Sequence, residues 1–74
     1  MSITMAIKNP TRPLTHREIQ ILTMIAVENT TREIAEKLHI SEKTVRNHKS
    51  NIMKKLHVKS DAGLVRHAYL MALI

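Results

Sequence analysis

The sequence has no cysteine, no tryptophan and no phenylalanine, and Tyr69 is its only aromatic residue. Without cysteine there are no disulfides and no thiolate metal sites, a usage that fits a reducing compartment. Without aromatics the core has to be built from Leu, Ile, Val, Met and Ala. Glycine is nearly missing as well, since Gly63 stands alone. That excludes a glycine-rich phosphate loop and leaves the helix ends without their usual left-handed residue. Long apolar runs are missing too. The last stretch, AYLMALI, is far too short to span a bilayer. The start, MSITMAIKNP, lacks the basic-then-apolar order of a secretory signal. The expectation is a soluble, cytoplasmic protein with no membrane partner.

Catalytic constellations are equally sparse. The five histidines, His16, His39, His48, His57 and His67, never pair at i,i+4, and there is no HExxH motif. A single layer of short helices offers no evident pocket for Ser, His and Asp to act together. No enzyme, metal site or cofactor is expected.

What is present is charge, unevenly placed. The 74 residues make one small domain with a formal net charge of +6. Residues 41–60 hold Lys43, Arg46, Lys49, Lys54, Lys55 and Lys59 against Glu42, so +5 of the +6 lies there. A concentrated basic segment is the electrostatic footprint of a polyanion partner.

Residues 1–13 lack a sustained period and end in Pro10 and Pro13, which reads as a flexible tail or linker remnant. The folded domain is expected over 14–74. Thr15-His16-Arg17-Glu18 is a capping box, followed by a stripe of Ile19, Leu22, Ile25 and Ala26. That helix is expected to end near Glu28–Asn29, with Asn29 as the left-handed residue. Thr30-Thr31-Arg32-Glu33 is a second box, ahead of Ile34, Ala35 and Leu38 on a helix of about two turns. Ser41 caps a third helix ending near Leu56–His57. Ser60 or Asp61 caps a fourth, with Gly63 in its first turn at modest cost. The fourth helix carries Leu64, Val65, Ala68, Leu70, Met71 and Leu73. It is apolar around more of its circumference than one small core requires, so a second apolar surface is expected, facing a partner helix.

The fold class is therefore all-α, with a short second helix and a long third one joined by a tight turn. That is the helix-turn-helix arrangement. On the third helix, at about 100° per residue, Val45, Ile52 and Leu56 form a narrow apolar wedge. Lys43, Arg46, Asn47, Ser50 and Lys54 fall broadly opposite. A helix fits the major groove of DNA, so one edge reaches bases while the other locks to a supporting helix. Arg46, Asn47 and Ser50, with Lys43 beside them, are the candidates for base edges. Arg suits guanine and Asn suits adenine by bidentate hydrogen bonds. Lys54 and Lys55 are the candidates for phosphates, and Thr30, Thr31, Ser41 and Thr44 offer hydroxyls for the same purpose. Lys49 lies on the border of the wedge. Its stem is expected to cover apolar surface while its ammonium stays out of the core and reaches water or a phosphate.

The series LTHREIQIL, then TTREIAEKLHISEKTVRNHKSNIMKKLHVKS, resembles the LuxR/GerE-type DNA-binding domain that ends many bacterial response regulators and quorum-sensing receptors. The resemblance covers residues 14–74. It implies a four-helix fold, base contacts from positions matching Arg46, Asn47 and Ser50, and backbone contacts from positions like Thr31, Thr44 and Lys54. It also implies a fourth helix that commonly forms a dimer, here assigned to Leu64, Ala68, Tyr69, Met71 and Ala72. Four positions depart from the family pattern. Glu28 stands where glycine is usual, His57 where a small or turn-forming residue is usual, Asp61 where arginine is common, and Lys49 where most members are aliphatic. The implied protein is a bacterial transcription regulator at the nucleoid. Its partners are double-stranded DNA, a second copy or a related regulator, and RNA polymerase. The alternative is a protein-interaction module that docks on RNA polymerase or a partner regulator with its basic face merely solvated.

Overall fold

The computed structural model describes residues 14–74, and the tail expected over 1–13 lies outside them. Among the described residues there are four helices and no strand. They are α1 His16–Ala26, α2 Thr31–Leu38, α3 Glu42–Leu56 and α4 Asp61–Leu70. The all-α, four-helix expectation holds. None of these helices is long and apolar enough to cross a membrane.

Local chemistry sets each start. Thr15 Oγ1 accepts from the Glu18 amide at 3.1 Å, and Glu18 Oε1 accepts from the Thr15 amide at 2.8 Å. Thr30 and Glu33 repeat this reciprocal pair with the same two distances, 3.1 and 2.8 Å. The bond from the Thr30 amide holds the Glu33 carboxyl below its usual range. At α3, Ser41 Oγ accepts from the Thr44 amide at 3.0 Å and donates to Thr44 Oγ1 at 2.9 Å. Ser60 rather than Asp61 caps α4, accepting from the Gly63 amide at 3.2 Å.

The helix ends share one device. Glu28, His39, His57 and Ala72 all have positive φ, at 69°, 58°, 57° and 60°. Each donates its amide to the carbonyl three residues back, and the next residue donates to the carbonyl five back. This pattern, a Schellman motif, satisfies carbonyls that a helix end leaves orphaned. Here it is built four times without glycine. The expectation for Asn29 is corrected, because the left-handed residue is Glu28. Asn29 serves the turn differently. Its amide and its Nδ2 both donate to the Met24 carbonyl, at 3.0 and 3.1 Å. Its Oδ1 accepts from Lys37 Nζ at 2.7 Å, tying the last turn of α2 to the turn after α1.

Two residues from each helix make the core: Ile21 and Leu22, Ile34 and Ala35, Val45 and Ile52, Leu64 and Ala68. α1 lies at the centre, packing most extensively on α4 and α3, while α2 packs on α3. The buried stripe of α1 is rotated from the expected one. Ile21 is fully buried while Ile19 is only half-buried, and Glu18 sits on the buried side. Gly63 also does more than the sequence suggests. A Cβ there would lie 2.9 Å from Val58 Cβ, so its absence lets the loop before α4 fold close against the helix.

Glu28 holds a conformation that costs an L-residue roughly 1–2 kcal/mol, and a glycine there would be free of that cost. Glu28→Gly is expected to stabilise the fold by about 1 kcal/mol after glycine's extra unfolded-state entropy is counted. A thermal melt should rise by about 4–8 °C. An unchanged or lower midpoint would mean that the strain at Glu28 does not exceed glycine's entropic cost.

Candidate nucleic-acid interface

α3 projects its polar edge because its other edge is fastened. Val45 and Ile52 are fully buried and Leu56 is packed beside them, as the wheel predicts. Lys43, Arg46, Asn47, Ser50 and Lys54 are all exposed. At about 100° per residue these five span an arc of about 100°. Arg46 is held only loosely. Its Nη1 lies 3.8 Å from Glu42 Oε1, and both side chains are more than half exposed. An exposed pair of this kind contributes at most ~1 kcal/mol and is readily exchanged for a phosphate or a base. Asn51, which the sequence reading passed over, is also exposed, about 40° beyond Asn47 on the wheel.

The hydroxyl candidates lie at the starts of α2 and α3. Thr30 and Ser41 are exposed, and Thr31 and Thr44 are half-buried. Thr30, Ser41 and Thr44 all have hydroxyls engaged in capping bonds. Thr30 and Thr31 line a cleft of about 180 Å³ together with Lys49 and Asp61, over a floor that includes Ile34 and Val45. Three of the residues expected to meet DNA phosphates are thus brought to one cleft. A second cleft, of about 200 Å³, gathers Lys54 with Asn51, Lys55 and Glu18.

Two lysines of α3 are placed otherwise than expected. Lys55, read as a phosphate contact, turns inward. Its Nζ donates to Glu18 Oε1 at 2.7 Å, with side-chain exposures of 15% and 6%. The expected phosphate role is corrected on this ground, since Lys55 reaches a phosphate only by giving up a largely buried partner. Lys49 is kept out of the core, but its ammonium is not free either. It lies 2.7 Å from Asp61 Oδ1, with 27% of the side chain exposed. On the wheel the two lysines flank the buried stripe, one on each side. One fastens α3 to the first turn of α1, and the other fastens it to the first turn of α4. Neither pairing has a local sequence signal, because Glu18 and Lys55 stand 37 positions apart.

The dimer assignment also changes. Leu64 and Ala68 have no exposed surface and belong to the chain's own core. Helical spacing turns this pair toward α1, which leaves them nothing to offer a partner. Tyr69, Leu70 and Met71 remain exposed, and Ala72 is exposed beside them.

Burial pushes the Glu18 carboxyl up, but the Lys55 ammonium and the Thr15 amide outweigh it and hold the carboxyl below its ordinary value of 4.5. A depressed carboxyl stabilises the fold above its ordinary value and loses that contribution as pH falls through the folded one. Glu18→Gln keeps a side chain able to complete the capping box but removes the charge. Near neutral pH it is expected to cost about 2 kcal/mol. That is less than the roughly 3–5 kcal/mol of a fully buried pair, because the lysine stem lets the ammonium turn toward water. The gap from the parent protein should close as pH falls below 4.5. Urea unfolding across that range measures it, and equal midpoints near neutral pH would refute the role given to this pair.

The sequence profile described as "Bacterial regulatory proteins, luxR family" matches residues 12–68. The oxygen regulatory protein NreC of Staphylococcus carnosus (strain TM300) is 50% identical over 60 residues, which cover 81% of this chain and 28% of that protein. The spore germination protein GerE of Bacillus subtilis (strain 168) is 56% identical over 52 residues, 70% of each chain. NreC of Staphylococcus aureus (strain JH9) is 48% identical over 60 residues. The chain thus spans little more than a quarter of the length of the NreC relatives, 28%, and most of GerE.

Proposed function

This chain belongs to the luxR family of bacterial regulatory proteins, and on that footing we propose that it is a DNA-binding unit that regulates transcription by inserting α3 into the major groove. The observation that carries this reading is the division of α3 into a buried edge, Val45 and Ile52, and an exposed polar edge from Lys43 to Lys54. Arg46, Asn47 and Ser50 read base edges, with Lys43 and Asn51 at the margins. Lys54 and the hydroxyls of Thr30, Thr31, Ser41 and Thr44 hold the backbone. The capping bonds of these hydroxyls are compatible with that role, since a hydroxyl has two acceptor sites as well as its donor.

The exposed apolar group on α4 supports a dimer. Tyr69, Leu70 and Met71 leave a surface that water solvates poorly, and a second copy is the partner that uses it symmetrically. A two-fold dimer would read half-sites about one helical turn apart.

Selection of bound sequences from a random DNA pool, with the mass of the complex measured alongside, tests the whole proposal. A paired motif and a complex holding two chains are expected. Arg46→Ala and Asn47→Ala should each relax discrimination at one position by roughly 1–3 kcal/mol. If the enriched motif is unchanged in both variants, the assignment of α3 to the groove is wrong. Tyr69→Glu should leave the melt intact and yield complexes with a single chain; a complex still holding two chains would move the dimer contact elsewhere. The alternative, docking on RNA polymerase or a partner regulator with the basic face merely solvated, would show no paired motif. It would also lack the steep weakening with salt that phosphate contacts impose.

A further inference from the structure

The cleft lined by Thr30, Thr31 and Lys49 gathers two hydroxyl side chains and an ammonium, the chemistry that holds a phosphate oxygen. It also holds Asp61, whose Oδ1 lies 2.7 Å from Lys49 Nζ. Asp61 is 66% exposed, so its carboxylate is open to solvent beside the lysine. A phosphate entering there meets one positive and one negative group at nearly the same place, and the local field largely cancels. Asp61 is also in the first turn of α4, where a helix N-terminus favours a negatively charged side chain.

We infer that Asp61 is a specificity-determining residue that neutralises Lys49 internally and so removes one sequence-independent phosphate contact from the interface. This rests on the proposal that the chain binds DNA through α3. Phosphate contacts add affinity for every sequence alike, whereas base contacts at Arg46 and Asn47 add it for one. Cancelling a phosphate contact therefore lowers binding to random DNA and leaves a larger share of the affinity to base reading.

The test measures binding of a random-sequence duplex as a function of salt, using the whole chain. Asp61→Asn is expected to bind random DNA several-fold more tightly. The slope of log affinity against log salt should steepen by about 0.9, the value of one added phosphate contact. Adding Lys49→Gln to Asp61→Asn should return both quantities to those of the parent protein. Asp61→Ser, whose side chain also suits the start of a helix, gives the same comparison should Asp61→Asn melt early. Equal or weaker binding by folded Asp61 variants would overturn the inference and make the pair a strut only. A parent protein that binds no duplex in a salt-dependent way would instead overturn the DNA-binding proposal itself.

Discussion

One carboxylate oxygen, Glu18 Oε1, accepts both the Thr15 amide at 2.8 Å and the Lys55 ammonium at 2.7 Å. The start of α1 and the end of α3 are therefore joined at a single atom. α1 is also the helix on which α3 and α4 both pack. The angle at which α3 holds its exposed edge is set by this bond on one flank, by Lys49 and Asp61 on the other, and by Val45 and Ile52 between them. Positioning matters because base contacts are lost over fractions of an ångström, while phosphate contacts tolerate more. The formal charge of +6 already counts Glu18 and Asp61 against two lysines, and these two pairs show where that cancellation is made. Lys49 and Lys55 face carboxylates of other helices, while Lys43, Arg46 and Lys54 lie along one edge, Arg46 in a loose pair with Glu42.

Much of this was legible because it is local. Thr15 with Glu18, Thr30 with Glu33, and Ser41 with Thr44 each close a ring within one helical turn, so spacing alone identifies them. The wedge of Val45, Ile52 and Leu56 is likewise a property of the helical repeat. What the residues conceal is tertiary. Lys55 looks like any basic residue near a helix end until α1 brings Glu18 beside it. Leu64 and Ala68 look no different from Tyr69 or Met71 on a helix apolar around much of its circumference, and only the position of α1 divides them into core and surface. Asn29 is the better intrinsic left-handed former, yet the backbone places Glu28 there, since bonds to Ile25 and Met24 outweigh a side-chain preference.

The four helix ends show how a chain with a single glycine still turns sharply. Glu28, His39, His57 and Ala72 each accept an unfavourable backbone angle in return for two carbonyl bonds. The single glycine is used where no angle demands it, at the close approach of Val58 to α4. Backbone strain spread over four corners is a large burden for a domain whose core is eight small or aliphatic residues. The tight capping and the two ionic fastenings offset part of it.

Tyr69 is 72% exposed on the outer face of α4, and no other residue of the chain absorbs or emits in the near ultraviolet. The molecule thus carries one optical probe, fixed by its own fold to the surface where a second copy would sit. Changes in its emission, its quenching by iodide or its near-ultraviolet dichroism report that face alone, with no background from the core or from α3. The proposed association of two copies can therefore be followed on the unlabelled, unmodified chain, by light.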